Sequence, residues 1–136
     1  MTIRRILETA LYVDDLPRAR EFYQRLFGFE PLRDDARLCA LNVGNESVLL
    51  LFLCGGSTQP NEVPGGVIPP HDGHGPAHMA FAIDQGDLAS WESRLQSHGV
   101  AIESRVEWPA GGTSLYFRDP DGHALELAIP GIWAIY

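Results

Sequence analysis

At 136 residues, 45% of them hydrophobic and 21% charged, the chain has the size and balance of one globular domain with its own core. Its formal charge of −8 argues against nucleic acid or an anionic membrane surface as partner, since both need a basic face. No apolar run approaches the ~18 residues of a membrane span, and the opening Met1-Thr2-Ile3-Arg4-Arg5 lacks the apolar centre of a secretory signal.

In chain order, alternation over residues 7–13 predicts a strand. Residues 16–27 form an amphipathic helix with Leu16, Ala19, Phe22, Tyr23 and Leu26 on one stripe, capped by Asp15, opened by Pro17 and stopped at Gly28. Short strands follow over 29–33, 37–43 and 47–53. A Gly- and Pro-rich stretch, 55–76, reads as a loop, serving either as a cover over a site or as a tether. Residues 78–83 then form a strand, 88–98 a helix with Leu88, Trp91 and Leu95 inward, and 100–107, 113–118 and 123–129 three more strands. Phe22/Leu26/Gly28 is echoed by Trp91/Leu95/Gly99, and Val13-Asp14 by Ile83-Asp84. This self-similarity predicts an α+β fold of two paired βαβββ modules, their curved half-sheets enclosing a cavity. The modules cover about 5–54 and 77–130, joined by the 55–76 linker and followed by a tail at 131–136. Cys39 and Cys54 lie in or beside apolar strand-like runs and are expected to be reduced, in a cytoplasmic protein.

The last hairpin carries the chemistry. Asp119-Pro120-Asp121-Gly122 reads as a type I turn with Gly122 in the left-handed bulge position, so Asp119 pairs with His123 and Tyr116 falls opposite Glu126. Ser114 then faces Ala128, and Arg118 faces Ala124. Leu125, Leu127 and Ile129 take one face of the final strand, leaving Glu126 between Ala124 and Ala128 on the other. A glutamate there is either on a wet face or a ligand in a cavity wall. Glu8 and His78 occupy the same slot of the repeat, and like Glu126 each has alanine two residues on. One His and two Glu make an N,O,O set suited to a divalent Ni, Mn, Fe, Co or Zn ion, which would relieve the repulsion between the carboxylates. His71 and His74 lie among Gly and Pro, where no helix can align them with His78, and are expected to be loop residues. His98 suits the end of its helix, and His123 is expected to be exposed.

The chain resembles the vicinal oxygen chelate superfamily of glyoxalase I, extradiol dioxygenases, fosfomycin-inactivating enzymes and bleomycin-binding proteins. The resemblance is carried by Leu11-Tyr12-Val13-Asp14-Asp15-Leu16, Phe22-Tyr23, Leu26-Phe27-Gly28-Phe29, His78-Met79-Ala80-Phe81-Ala82-Ile83, and Tyr116-Phe117-Arg118-Asp119-Pro120-Asp121-Gly122 leading to Glu126. It implies metal ligands at Glu8, His78 and Glu126, with Glu8 where most members carry His or Gln. The fourth ligand position of glyoxalase I falls within Val48 to Leu51, where nothing can coordinate. Tyr116 and Glu126 are then the expected catalytic groups, with Tyr116, Ser114, Tyr12, Trp108 and Arg118 placed to touch a small-molecule substrate. The implied activity is a metal-dependent isomerase or lyase of the glyoxalase kind. The alternatives are an extradiol dioxygenase, which would use two His and one carboxylate; a fosfomycin-type thiol transferase, whose expected hydroxyl is replaced by Ala10; and a non-catalytic antibiotic binder, which needs no ion. Members with paired modules commonly dimerise, and the apolar Trp133-Ala134-Ile135-Tyr136 tail fits a homodimer.

Overall fold

Alternation in the first strand is realised as β1 (Glu8–Val13), which buries Leu11 and Val13. The computed structural model describes every residue from Met1 to Tyr136, and the chain divides into two units, Met1–His74 and Gly75–Tyr136.

In the first unit α1 (Leu16–Phe27) has the expected ends. The Asp15 carboxylate accepts from the Arg18 N–H at 2.9 Å, and Gly28, at φ 74°, donates its N–H to the Gln24 carbonyl. Leu16, Ala19, Tyr23 and Leu26 are buried. Phe22, the remaining member of the stripe, is half-buried with its ring edge-on to Tyr23. β2 (Pro31–Asp34), β3 (Leu38–Val43) and β4 (Ser47–Leu53) complete a sheet of order β1-β4-β3-β2, in which β1 runs parallel to β4 with Glu8 beside Val48. Cys39 is buried, its thiol pushed up to about 11 chiefly by desolvation, and neither cysteine is disulfide-bonded.

The 55–76 stretch is not the structureless loop expected from its composition. It contains a small hairpin, β5 (Asn61–Val63) and β6 (Gly66–Ile68), turned at Pro64-Gly65 with Gly65 at φ 101°. These strands are too short and too exposed to show alternation. Hydrogen bonds within the stretch close it on itself, and contacts with Tyr12 tie it to the rest of the first unit. His71 donates its N–H to the Ser57 carbonyl at 2.9 Å, Gly55 donates to Asp72 Oδ1 at 3.2 Å, and Gly73 packs on the Tyr12 ring.

The second unit repeats the plan with β7 (His78–Ala82), α2 (Leu88–Ser97), β8 (Ser104–Glu107), β9 (Thr113–Arg118) and β10 (Ala124–Ala128), in the order β7-β10-β9-β8. β7 is parallel to β10 as β1 is to β4, so His78 beside Ala124 corresponds to Glu8 beside Val48. By the same register Leu50 is the counterpart of Glu126. The fold is therefore α+β with two βαβββ modules, as the repeat predicts. α2 is the weaker helix: a 3-10 turn (Gln85–Asp87) precedes it, and only Leu95 of its expected inward residues is fully buried. His98 closes it, its ring nitrogen 2.9 Å from the Arg94 carbonyl. Leu115, Phe117, Leu125, Leu127 and Ile129 fill the core.

The turn between β9 and β10 also follows the reading. Gly122 lies at φ 83° and donates to the Asp119 carbonyl, and the Asp119 N–H meets the His123 carbonyl at 3.2 Å. His123, however, is not exposed: it is 2% accessible, and its Nδ1 accepts the Ala77 N–H at 2.9 Å. Its own N–H goes to the buried Asp119 carboxylate at 2.8 Å. The imidazole satisfies a backbone donor at the entrance to β7, a tertiary demand that no local pattern reveals.

Candidate metal centre

In the sheet of the second unit, pairing sets His78, Ala80 and Ala82 of β7 beside Ala124, Glu126 and Ala128 of β10, and these beside Arg118, Tyr116 and Ser114 of β9. Side chains in register share a face. Along β7 and β10, then, only alanines separate the groups capable of chemistry.

Glu126 is 5% accessible, so its carboxylate is buried and not on a wet face. One oxygen, Oε1, accepts a short bond from the Ser114 hydroxyl, and that hydroxyl accepts from the Trp108 indole N–H at 2.8 Å. The other oxygen, Oε2, lies 3.3 Å from His78 Nε2. The opposite nitrogen, His78 Nδ1, is 3.0 Å from the Ala124 carbonyl oxygen. A carbonyl can only accept, so Nδ1 carries a proton, and Nε2 is the nitrogen turned toward the carboxylate. Two acceptors facing each other across this gap repel unless a proton or a cation lies between them. Their separation is that of neighbouring ligands on one ion with bonds of ~2.1 Å, and a backbone carbonyl fixing the far nitrogen is the usual support of a metal-binding imidazole. His78 and Glu126 therefore fit an ion.

Tyr116 completes this surface. Its ring lies 6.1 Å from that of His78, near-parallel at 29°. Burial, and next the negative charge of Glu126, push its phenol above the ordinary value, so it remains a proton donor at neutral pH.

The other predicted residues are placed as follows. Glu8 stands exposed at the start of β1, in the first unit. Tyr12, also there, hydrogen-bonds His71 Nδ1 at 2.7 Å and stacks on Phe52, and burial raises its phenol pKa, aided by the nearby Asp72 charge. Arg118 is engaged by Glu103 through two nitrogens and donates to the Gly122 carbonyl, bracing the turn. His74 lies 3.7 Å from Asp72, and within either unit no group of three His, Cys, Asp or Glu side chains gathers around an ion-sized space. Sequence reasoning missed the Ser114 bond to Glu126, although the register put both on one face. It also missed the Tyr12–His71 pair, for which a loop histidine offers no signal.

A family model described as the Glyoxalase/Bleomycin resistance protein/Dioxygenase superfamily matches residues 5–127. Among curated proteins, Metallothiol transferase FosB of Bacillus licheniformis is 43% identical over 58 residues, which are 42% of this chain and 36% of that protein. Biphenyl-2,3-diol 1,2-dioxygenase 3 of Rhodococcus globerulus is 33% identical over 128 residues, 92% of this chain and 63% of that protein. The aligned stretches thus span from about a third to under two thirds of these relatives. Among solved structures, lactoylglutathione lyase from Agrobacterium tumefaciens superposes with a TM-score of 0.89 at 32% identity, covering 98% of this chain and 99% of that one. The residue patterns of both modules, the repeated sheet order and these likenesses agree: the chain belongs to the glyoxalase/bleomycin resistance protein/dioxygenase superfamily.

Proposed function

We propose that the protein is a metal-dependent glyoxalase-like enzyme, an isomerase or lyase acting on a small oxygenated substrate. The observation that carries this reading is His78 Nε2 facing Glu126 Oε2 at 3.3 Å, with the opposite ring nitrogen and the opposite carboxylate oxygen each held by a hydrogen bond. Glu8 is assigned as the third ligand because it holds the His78 position of the first module. A divalent ion bound there would polarise a substrate oxygen as a Lewis acid. Tyr116, kept protonated by its surroundings, donates a hydrogen bond to that oxygen and steadies the charge it acquires. Glu126 and His78 supply the negative and neutral donors of the site, and Ala80, Ala124 and Ala128 leave the room a substrate needs.

The lyase-type reading is supported by the likeness to lactoylglutathione lyase over nearly all of both chains. The test is an assay of the ion-loaded protein against 2-oxoaldehyde–thiol adducts, catechols, and phosphonate epoxides with a thiol. Turnover of the adducts is expected. Ring cleavage of a catechol, or thiol addition to the phosphonate, would replace the reading with a dioxygenase or a thiol transferase. Failure to turn over any of them, with a ligand retained unaltered, would favour a binding protein.

A homodimer belongs to the same proposal. Trp133 and Ile135 are 78% and 82% exposed, apolar side chains of the tail that a second copy would cover. Light scattering at micromolar concentration is expected to give twice the chain mass, and a monomer would refute this. No helix is long and apolar enough to cross a membrane. A cytoplasmic location belongs to the same proposal, in keeping with Cys39 and Cys54 both being in the thiol form.

A further inference from the structure

We propose that Trp108 is a positioning residue for Glu126: acting through Ser114, it holds one carboxylate oxygen and so keeps the other turned toward His78. This rests on the reading of His78 and Glu126 as an ion site. A serine hydroxyl has one proton to give, and the direction of that proton depends on what occupies its lone pairs. The Trp108 indole N–H is a donor only, and it points at Ser114 Oγ from 2.8 Å. With that lone pair taken, the Ser114 proton is committed to Glu126 Oε1. Ser114 is fully buried and Glu126 nearly so, hence water does not compete for either bond. Oε2 faces His78, while the Tyr116 phenol also interacts with Ser114 and Glu126.

The loop that carries Trp108 is built to hold it. The Trp108 N–H bonds the Gly112 carbonyl at 2.8 Å, and the Gly111 N–H bonds the Trp108 carbonyl at 2.9 Å. Gly112 also lies directly against the backbone of Gly131: a Cβ on Gly112 would come within 2.7 Å of the Gly131 carbonyl carbon, and one on Gly131 within 2.4 Å of the Gly112 nitrogen. Neither position has room for a side chain, so the loop and the chain beyond β10 fix each other. The indole is thereby aimed by backbone contacts on two sides. A carboxylate held at one oxygen by a buried bond has less freedom to rotate, so Oε2 is presented to His78 in a fixed direction.

The experiment compares wild type with Trp108→Phe, which keeps the ring but removes the N–H, with Ser114→Ala, and with the double variant. The first readout needs no ion: the Trp108 indole proton resonance should be protected from solvent exchange and should move in Ser114→Ala. The second uses cobalt(II) alone as probe, with affinity from calorimetry and ligand geometry from its visible absorption. Trp108→Phe is expected to weaken cobalt(II) binding roughly ten- to a hundredfold, the usual effect of losing a group behind a ligand, and to change the spectrum. Ser114→Ala should do at least as much, and the double variant no more than Ser114→Ala, because Trp108 acts through Ser114. An indole resonance indifferent to Ser114→Ala, or a Trp108→Phe protein with wild-type affinity and spectrum, would overturn the proposal. A wild type with the indole signature that binds no cobalt(II) would instead overturn the metal reading, and with it the ligand role assigned here.

Discussion

His78→Ala is expected to abolish tight binding of a divalent ion, taking the purified protein from about one ion per chain to none. The imidazole contributes the Nε2 that faces Glu126, and alanine offers nothing in its place. Glu126→Ala should have the same effect, since it removes the buried negative charge of the pair. Elemental analysis and calorimetry measure both. A Glu8→Ala, Glu126→Ala double variant that still carries a full complement of metal would sink the ligand assignment. A further effect follows from ions binding only the native state: removing the metal should lower the melting temperature by several degrees, since a ligand at a hundredfold over its Kd contributes about 2.7 kcal/mol.

Tyr116→Phe is expected to cost turnover roughly ten- to a thousandfold while metal content and melting temperature stay close to wild type. The ring and its stacking on His78 survive the change, and one hydrogen-bond donor is lost. The pH dependence gives the sign. Burial and the Glu126 charge hold the Tyr116 phenol above its ordinary value, so the neutral donor persists through the neutral and mildly alkaline range. The advantage of wild type over Phe should therefore be flat there and shrink only as pH rises through that raised value. A rise in KM with unchanged kcat would mean that Tyr116 only holds substrate. No change in either would mean that the phenol does not touch the reacting oxygen.

Much of this surface could be read from the sequence because strands obey a period of two. Once Gly122 set the turn, the pairing of Tyr116 with Glu126 and of Ser114 with Ala128 followed, and the structure has that register. The caps of α1 were equally legible, as Asp15 and Gly28 act on their own neighbours. What escaped depends on distant contacts. His123 follows a turn glycine and looks like a surface residue, yet it is buried beneath the start of β7. The β5–β6 hairpin arises from Pro64-Gly65 within residues too exposed to leave an apolar trace. Arg118 shares a strand face with Tyr116, but its guanidinium is long enough to reach Glu103 at the sheet's margin. Strand parity fixes where a side chain begins, and for arginine that says little about where it ends.

The matching topology of the modules has an evolutionary consequence. If the chain arose by duplication of one βαβββ unit, the two descendants have met different fates. The second kept an acid at the centre of its last strand, Glu126, while the register-equivalent site in the first is Leu50. The two copies should therefore tolerate mutation differently. Changes among apolar residues around Leu50 should be limited by packing alone, whereas the positions flanking Glu126 answer to chemistry as well. A library randomised over both strands and selected for activity should thus drift freely in hydrophobic identity near Leu50 and stay pinned near Glu126. The strand around Leu50 is accordingly the place in the first module where side chains can be varied without dismantling the reaction.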